Sequence, residues 1–248
     1  MYIAIDIGGT NLRAASFLSL DNPQIKDFKS EKTSQNYDSS LRLIRNLVNE
    51  VSAGAHVEKV GVGAPGAANL PDWRNKDLKS DLHALLGCPI FVENDAAAAA
   101  LGEAYYGSGK IQDFLFITMG TGVGGAFIRY INGIPHVTPA ELGHQIVVSN
   151  GLICACGQHG CVEAYYRQNS QDMIAYLVQG IINCLTINPV DFVFLAGGAA
   201  VNKPDMVLQI KQGVKKSLKI LPPPKIQLAT HKELAGIYGA LSLIKSTV

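Results

Sequence analysis

Three cysteines and a histidine are the most chemically specific residues of this chain. Cys154, Cys156 and Cys161 share one short loop, Cys154-Ala155-Cys156-Gly157-Gln158-His159-Gly160-Cys161, with His144 upstream. Three thiolates and one imidazole suit a closed tetrahedral zinc site, and four protein ligands leave no open position for chemistry at the ion. The predicted metal is therefore structural. The competing reading, small buried cysteines in a reducing compartment, fits the clustering less well. His159 lies inside the tight loop where its reach is poor, so His144 is preferred as the fourth ligand. Cys88 and Cys184 stand alone, and thiols in this pattern point to a reducing compartment such as cytoplasm.

Asp6-Ile7-Gly8-Gly9-Thr10-Asn11 puts a carboxylate at a strand end and two glycines where the backbone must approach something closely. The amides of that turn and the Thr10 hydroxyl can hold phosphate oxygens, with Asp6 holding magnesium through water. An ordinary hairpin turn has the same composition. A second turn, Gly120-Thr121-Gly122-Val123-Gly124-Gly125, strengthens the phosphate reading, because two such turns can grip one nucleotide from both sides. It carries no acidic residue, so only the first turn would hold the ion.

Glu93-Asn94-Asp95 ends an apolar run and opens an alanine-rich helix from Ala96 to Glu103. Asp95 reads either as the cap of that helix or as a base that takes a proton from an acceptor hydroxyl. The helix dipole favours its ionised form, yet a carboxylate that accepts the proton late in phosphoryl transfer need not be strongly basic. Glu141-Leu142-Gly143-His144 and Glu163 flank the cysteine loop. Carboxylates, and an imidazole whose second nitrogen stays free, are suited to hydrogen-bonding vicinal sugar hydroxyls. Glu163 alone would read as a surface helix residue; its position two residues after Cys161 favours the site.

These residues need elements to position them. Tyr2 to Ile7 and Leu12 to Phe17 read as a hairpin around the first glycine turn, and Phe114 to Met119 with Val123 to Tyr130 repeat that plan around the second. Two such hairpins at the heads of two halves predict a duplicated α/β fold. Leu41, Ile44, Leu47, Val48 and Val51 recur at helical spacing after Asp38-Ser39-Ser40, which can cap a helix. Val60 to Ala64, Ile90 to Val92 and Phe192 to Ala196 read as buried strands. Met173 to Leu185 and Leu234 to Ile244 read as helices, and Pro222-Pro223-Pro224 as an extended link into a last strand, Lys225 to Leu228.

The whole chain, 248 residues with a net charge of +1, is long enough to bury a core and carries no electrostatic footprint for nucleic acid or anionic membrane. No apolar run approaches the ~20 residues of a membrane span, and the N-terminus lacks the features of a signal peptide. A soluble protein is expected.

In order and together, these motifs resemble the ROK family, named for bacterial repressors, open reading frames and sugar kinases. Gly63-Ala64-Pro65-Gly66 and Ala196-Gly197-Gly198 belong to the same match, which runs along nearly the whole chain. The cysteine loop with Gly143-His144 is its specific part; glycine turns are shared by many actin-like ATPases. The resemblance implies two actin-like (ribonuclease H-like) α/β domains facing a cleft, residues 1–112 plus 233–248 forming the first and 113–232 the second. It implies ATP-dependent phosphorylation of a hexose hydroxyl, of the glucokinase type, with Asp95 as catalytic base. Asn69, Asn94, Glu141, His144 and Glu163 would hold the sugar. Asp6 would face magnesium. Gly9, Thr10, Thr121 and Gly122 would meet the phosphates, within a cofactor-binding set that includes Gly8, Asn11 and Gly120, and Gly197-Gly198 would lie on the adenosine side. A homodimer is also implied.

Alternatives within the family are a kinase for N-acetylmannosamine or fructose, polyphosphate in place of ATP, or a sugar-binding regulator without kinase activity. The family's repressors carry an N-terminal DNA-binding module, and a first strand at Tyr2 leaves no room for one, so no nucleic-acid partner is expected. Three departures stand out. The stretch from Glu163 to Leu195 is short, which bears on dimer packing and on the nucleotide-side wall; Ala97 stands where asparagine is common; and Ala199-Ala200 follow the glycine pair.

Overall fold

Ile3, Ile5 and Ile7 are fully buried, and so is Ala4 on the opposite face, which makes the first strand a two-sided core element. A computed structural model describes residues 1–66 and 70–246. Asn69, expected in the sugar set, lies outside the described residues. Strand β1 (Tyr2–Ile7) pairs antiparallel with β2 (Asn11–Phe17), which pairs with β3 (Ile25–Lys32). β3 was not anticipated. It is an edge strand exposed along most of its length, and its Lys, Asp and Glu side chains keep that edge from pairing further.

Helix α1 (Tyr37–Ser52) starts earlier than expected. Its cap is Asn36, whose Oδ1 accepts from Ser39 N at 3.0 Å, not the Asp38-Ser39-Ser40 run. Strand β4 (Lys59–Ala64), helix α2 (Leu78–Leu86), strand β5 (Ile90–Asn94) and helix α3 (Asp95–Tyr106) follow. β4 and β5 add in parallel, giving a sheet in the order β3-β2-β1-β4-β5.

The second half repeats the first. β6 (Phe114–Met119), β7 (Val123–Ile131) and β8 (Ile134–Pro139) form an antiparallel meander. Helices α4 (Val162–Arg167) and α5 (Met173–Ile187) lead to β9 (Phe192–Ala196), then α6 (Gly198–Asn202), α7 (Pro204–Ser217) and β10 (Lys225–Leu228). The order β10-β9-β6-β7-β8 is the first sheet's order read from the other edge, so the predicted duplication is present in the topology.

The last helix, α8 (Ala235–Lys245), packs on α3 and the first sheet. Small residues set that contact: a Cβ on Gly102 would fall 2.6 Å from Gly239 N, and one on Gly61 would fall 1.9 Å from Ala240 O. The alanine run of α3 thus serves close backbone packing as well as helix propensity. Two compact units result, Met1–Tyr106 with Leu234–Val248, and Gly107–Glu233, each with its own core.

Candidate functional site

In the first unit, the chemistry gathers at the carboxyl ends of β1 and β5. Asp6 is paired across the hairpin with Arg13, its Oδ2 3.8 Å from the guanidinium. A Cβ on Gly236, in the first turn of α8, would come within 2.4 Å of the Asp6 carboxyl carbon, so the helix backbone closes over the carboxylate only because that residue is glycine. Burial pushes the Asp6 carboxyl up to about 6; Arg13 opposes that shift and the charge of Asp95 adds to it. The two carboxylates are therefore within electrostatic reach of one another.

Asn94, expected only as a sugar contact, is the cap of α3. Its Oδ1 accepts from Ala96 N at 3.0 Å and Ala97 N at 3.1 Å. The Asp95 Oδ1 also lies 2.8 Å from Ala96 N, but the capping reading of Asp95 gives way, because it is the first residue of the helix and Asn94 precedes it. The Asn94 amide nitrogen stays available as a donor. Beside these, the first glycine turn is held by a residue the sequence did not flag. Thr33 donates its hydroxyl to Gly8 O at 2.7 Å and its backbone N–H to Thr10 O at 3.0 Å. Both carbonyls are thereby occupied, while the Gly9 amide has no acceptor among the described residues.

In the second unit, the turn is tighter: Gly120 N donates to Gly122 O at 3.0 Å, and Met119 pairs directly with Val123. The Gly122 amide likewise has no acceptor among the described residues. Gly197 follows β9 with φ +91°, and a Cβ there would fall 2.5 Å from Met119 O, so the first of the two expected adenosine-side glycines lies against the strand that enters this turn. Glu163 is buried at 2% exposure, and its Oε2 accepts from Val123 N at 2.9 Å. Its Oε1 has no hydrogen-bond partner and lies 3.7 Å from Arg167. Tyr166, also unflagged by the sequence, donates to Gly120 O at 3.0 Å; burial and the Glu163 charge push its hydroxyl up to about 12, which keeps it a donor.

The cysteine loop and His144 come together. His144, Cys154, Cys156 and Cys161 hold their ligand atoms within 4.8 Å of one another. His144 Nδ1 lies 3.6 Å from Cys154 Sγ, and the Cys156 and Cys161 sulfurs are 3.8 Å apart. A tetrahedral zinc ion with ~2.3 Å sulfur and ~2.0 Å nitrogen bonds needs sulfurs about 3.8 Å apart and a nitrogen about 3.5 Å from each sulfur, values that the Cys156–Cys161 and His144–Cys154 separations match. Burial, together with the neighbouring thiols, pushes Cys161 up to about 12, a penalty that a divalent cation would relieve. His159 is exposed, with Nδ1 3.3 Å from Gly151 O, outside the cluster. A 3-10 turn, Leu142–His144, carries the imidazole; a Cβ on Gly143 would fall 2.2 Å from Val123 O, so glycine is what lets this turn lie against the end of the second glycine turn. With Nδ1 facing sulfur, Nε2 is the nitrogen left for a ligand. Glu141 precedes that turn, its side chain exposed.

The ROK family model matches residues 2–173, well over half of the chain. The chain belongs to the ROK family. It is 35% identical to a glucokinase of Thermotoga maritima over 65% of this chain and 56% of that protein, so it spans little more than half the length of the relative it matches there. An N-acetyl-D-glucosamine kinase of Escherichia coli is 30% identical over 98% of this chain and 99% of its own. The alignment to that kinase runs to 303 positions, so the relative carries a substantial stretch absent from these 248 residues. Among solved structures, a ROK family glucokinase from Streptomyces griseus in complex with glucose and AMPPNP covers 98% of both chains at TM-score 0.83 and 26% identity. The fold is the actin-like two-domain α/β fold of these ROK proteins. The family match ends at Met173, the first residue of α5.

Among the described residues, no helix of this ROK protein is long and apolar enough to cross a membrane. A cavity of about 630 Å³ in the second unit, lined by Arg129, Tyr130, Leu185, Phe192 and Leu221 among others, opens by the starts of β6 and β9 and contains none of the motif residues.

Proposed function

We propose that this ROK protein transfers the terminal phosphoryl group of ATP to a hydroxyl of a hexose, in the manner of a glucokinase. The observation that carries the reading is the closeness of Asp6 and Asp95, Asp6 pairing with Gly63 and a Cβ on Gly63 falling 3.6 Å from Asp95 Cα, with an open amide in the glycine turn that follows Asp6. Asp95 would take the proton of the acceptor hydroxyl, and the Asn94 amide would orient that hydroxyl. Asp6 would hold magnesium through water, and the ion would supply neutralisation of phosphate charge. The open amides of Gly9 and Gly122 would take phosphate oxygens, with Gly197 and Gly198 on the adenosine side. His144 Nε2, Glu141 and Glu163 Oε1 would bind the sugar hydroxyls, and a zinc ion held by His144, Cys154, Cys156 and Cys161 would brace the imidazole.

A second acceptor class, an N-acetylated hexosamine, is favoured by the relative that aligns along nearly the whole chain. Incubation of the purified protein with magnesium ATP and a mixed sugar pool, followed by mass spectrometry, tests both. A phosphorylated hexose or hexosamine supports the reading and names the acceptor. Failure to phosphorylate any sugar, with nucleotide and sugar both bound, would favour the regulatory sugar-binding alternative.

A further inference from the structure

Helix α4 begins directly after Cys161 and carries Glu163 and Tyr166 three residues apart, hence on one face. Tyr166 Oη donates to Gly120 O at 3.0 Å and Glu163 Oε2 accepts from Val123 N at 2.9 Å. Those partners are the residues on either side of Thr121-Gly122, so one short helix grips the second glycine turn at both ends. The grip is tight in its middle as well: a Cβ on Gly122 would fall 2.2 Å from Glu163 Oε2. Between the two anchor points lies the Gly122 amide, which has no acceptor among the described residues. The other carboxylate oxygen of Glu163 is buried without a hydrogen-bond partner, its one charged neighbour among the described residues being the Arg167 guanidinium at 3.7 Å. A buried acceptor in that state is satisfied when a ligand hydroxyl supplies a donor.

We infer that α4 is a clamp that holds the second glycine turn in its phosphate-binding shape, with Tyr166 as a positioning residue, and that Glu163 couples sugar occupancy to nucleotide affinity. The inference rests on the kinase reading, since it gives Glu163 Oε1 a sugar hydroxyl and the turn a phosphate. A hydroxyl on Oε1 restrains the carboxylate, the carboxylate restrains Val123, and the Gly122 amide is held at the angle the phosphate needs. By linkage, the nucleotide tightens sugar binding by the same factor.

Tyr166→Phe keeps the ring and removes only the hydroxyl. The amides of residues 120–123 should then exchange with deuterium faster than in the wild type. AMPPNP with magnesium should bind roughly three- to ten-fold more weakly, an effect no larger than one hydrogen bond, with glucose affinity unchanged. Glu163→Gln should abolish the glucose-dependent tightening of AMPPNP that the wild type displays. Unchanged exchange at 120–123 in Tyr166→Phe overturns the clamp, as does an equal loss of sugar and nucleotide affinity. A wild-type nucleotide affinity indifferent to glucose overturns the coupling. A wild type that binds no nucleotide sinks the kinase reading instead, and the exchange measurement still decides the clamp.

Discussion

Asp6 and Asp95 sit at the ends of β1 and β5 within each other's electrostatic reach. Burial pushes the Asp6 carboxyl up from 3.8 to about 6, Arg13 pulls against that, and Asp95 adds to it. In the metal-free protein, carboxyl NMR should therefore find Asp6 titrating near 6, lower in Asp95→Asn and higher in Arg13→Gln. The sign for stability follows. Between 3.8 and about 6 the folded state binds the proton that the unfolded chain has released. The Asp6 contribution is therefore most favourable below 3.8 and is lost as pH rises through about 6. Asp6→Asn should flatten that slope in denaturant titrations; an unaltered slope would contradict the assignment.

The four-ligand cluster predicts one zinc per chain by elemental analysis. Cys156→Ser should lose most of it and lower the melting temperature, because the ion closes a loop otherwise tied by a few backbone bonds such as Cys154 N to Gln158 O at 2.8 Å. His159→Ala should keep full zinc, since that ring lies outside the cluster.

Gly102→Ala is expected to destabilise the first unit by about 1–3 kcal/mol, the usual cost of overpacking. The added carbon would meet the Gly239 backbone at 2.6 Å, and backbone cannot rotate out of the way as a side chain can. Chemical denaturation measures it. A neutral result would mean that α3 and α8 pack less closely than their glycines indicate.

Much of this site was legible in the sequence where local rules govern. The glycine turns announced themselves by composition between alternating apolar runs, and the gathering of His144 with the three cysteines by spacing. The misses have separate physical causes. β3 is exposed along most of its length, so its Lys, Asp and Glu side chains carry no apolar period. Asn36 and Asn94 cap helices next to acidic residues that look equally able to do so, and only backbone geometry separates them. Thr33 and Tyr166 act on turns 25 and 46 residues away, through side-chain bonds to carbonyls that no local pattern encodes. Tyr166 had one available signal, its place one helical turn beyond Glu163.

In the proposed reaction Asp95 accepts the proton of a hexose hydroxyl as it is phosphorylated. The direct measurement is turnover of magnesium ATP and the preferred sugar by wild type and Asp95→Asn, beside sugar affinity by calorimetry. The account predicts a loss of about 10²- to 10⁴-fold in turnover with sugar affinity kept within about three-fold. Turnover retained in Asp95→Asn would contradict it.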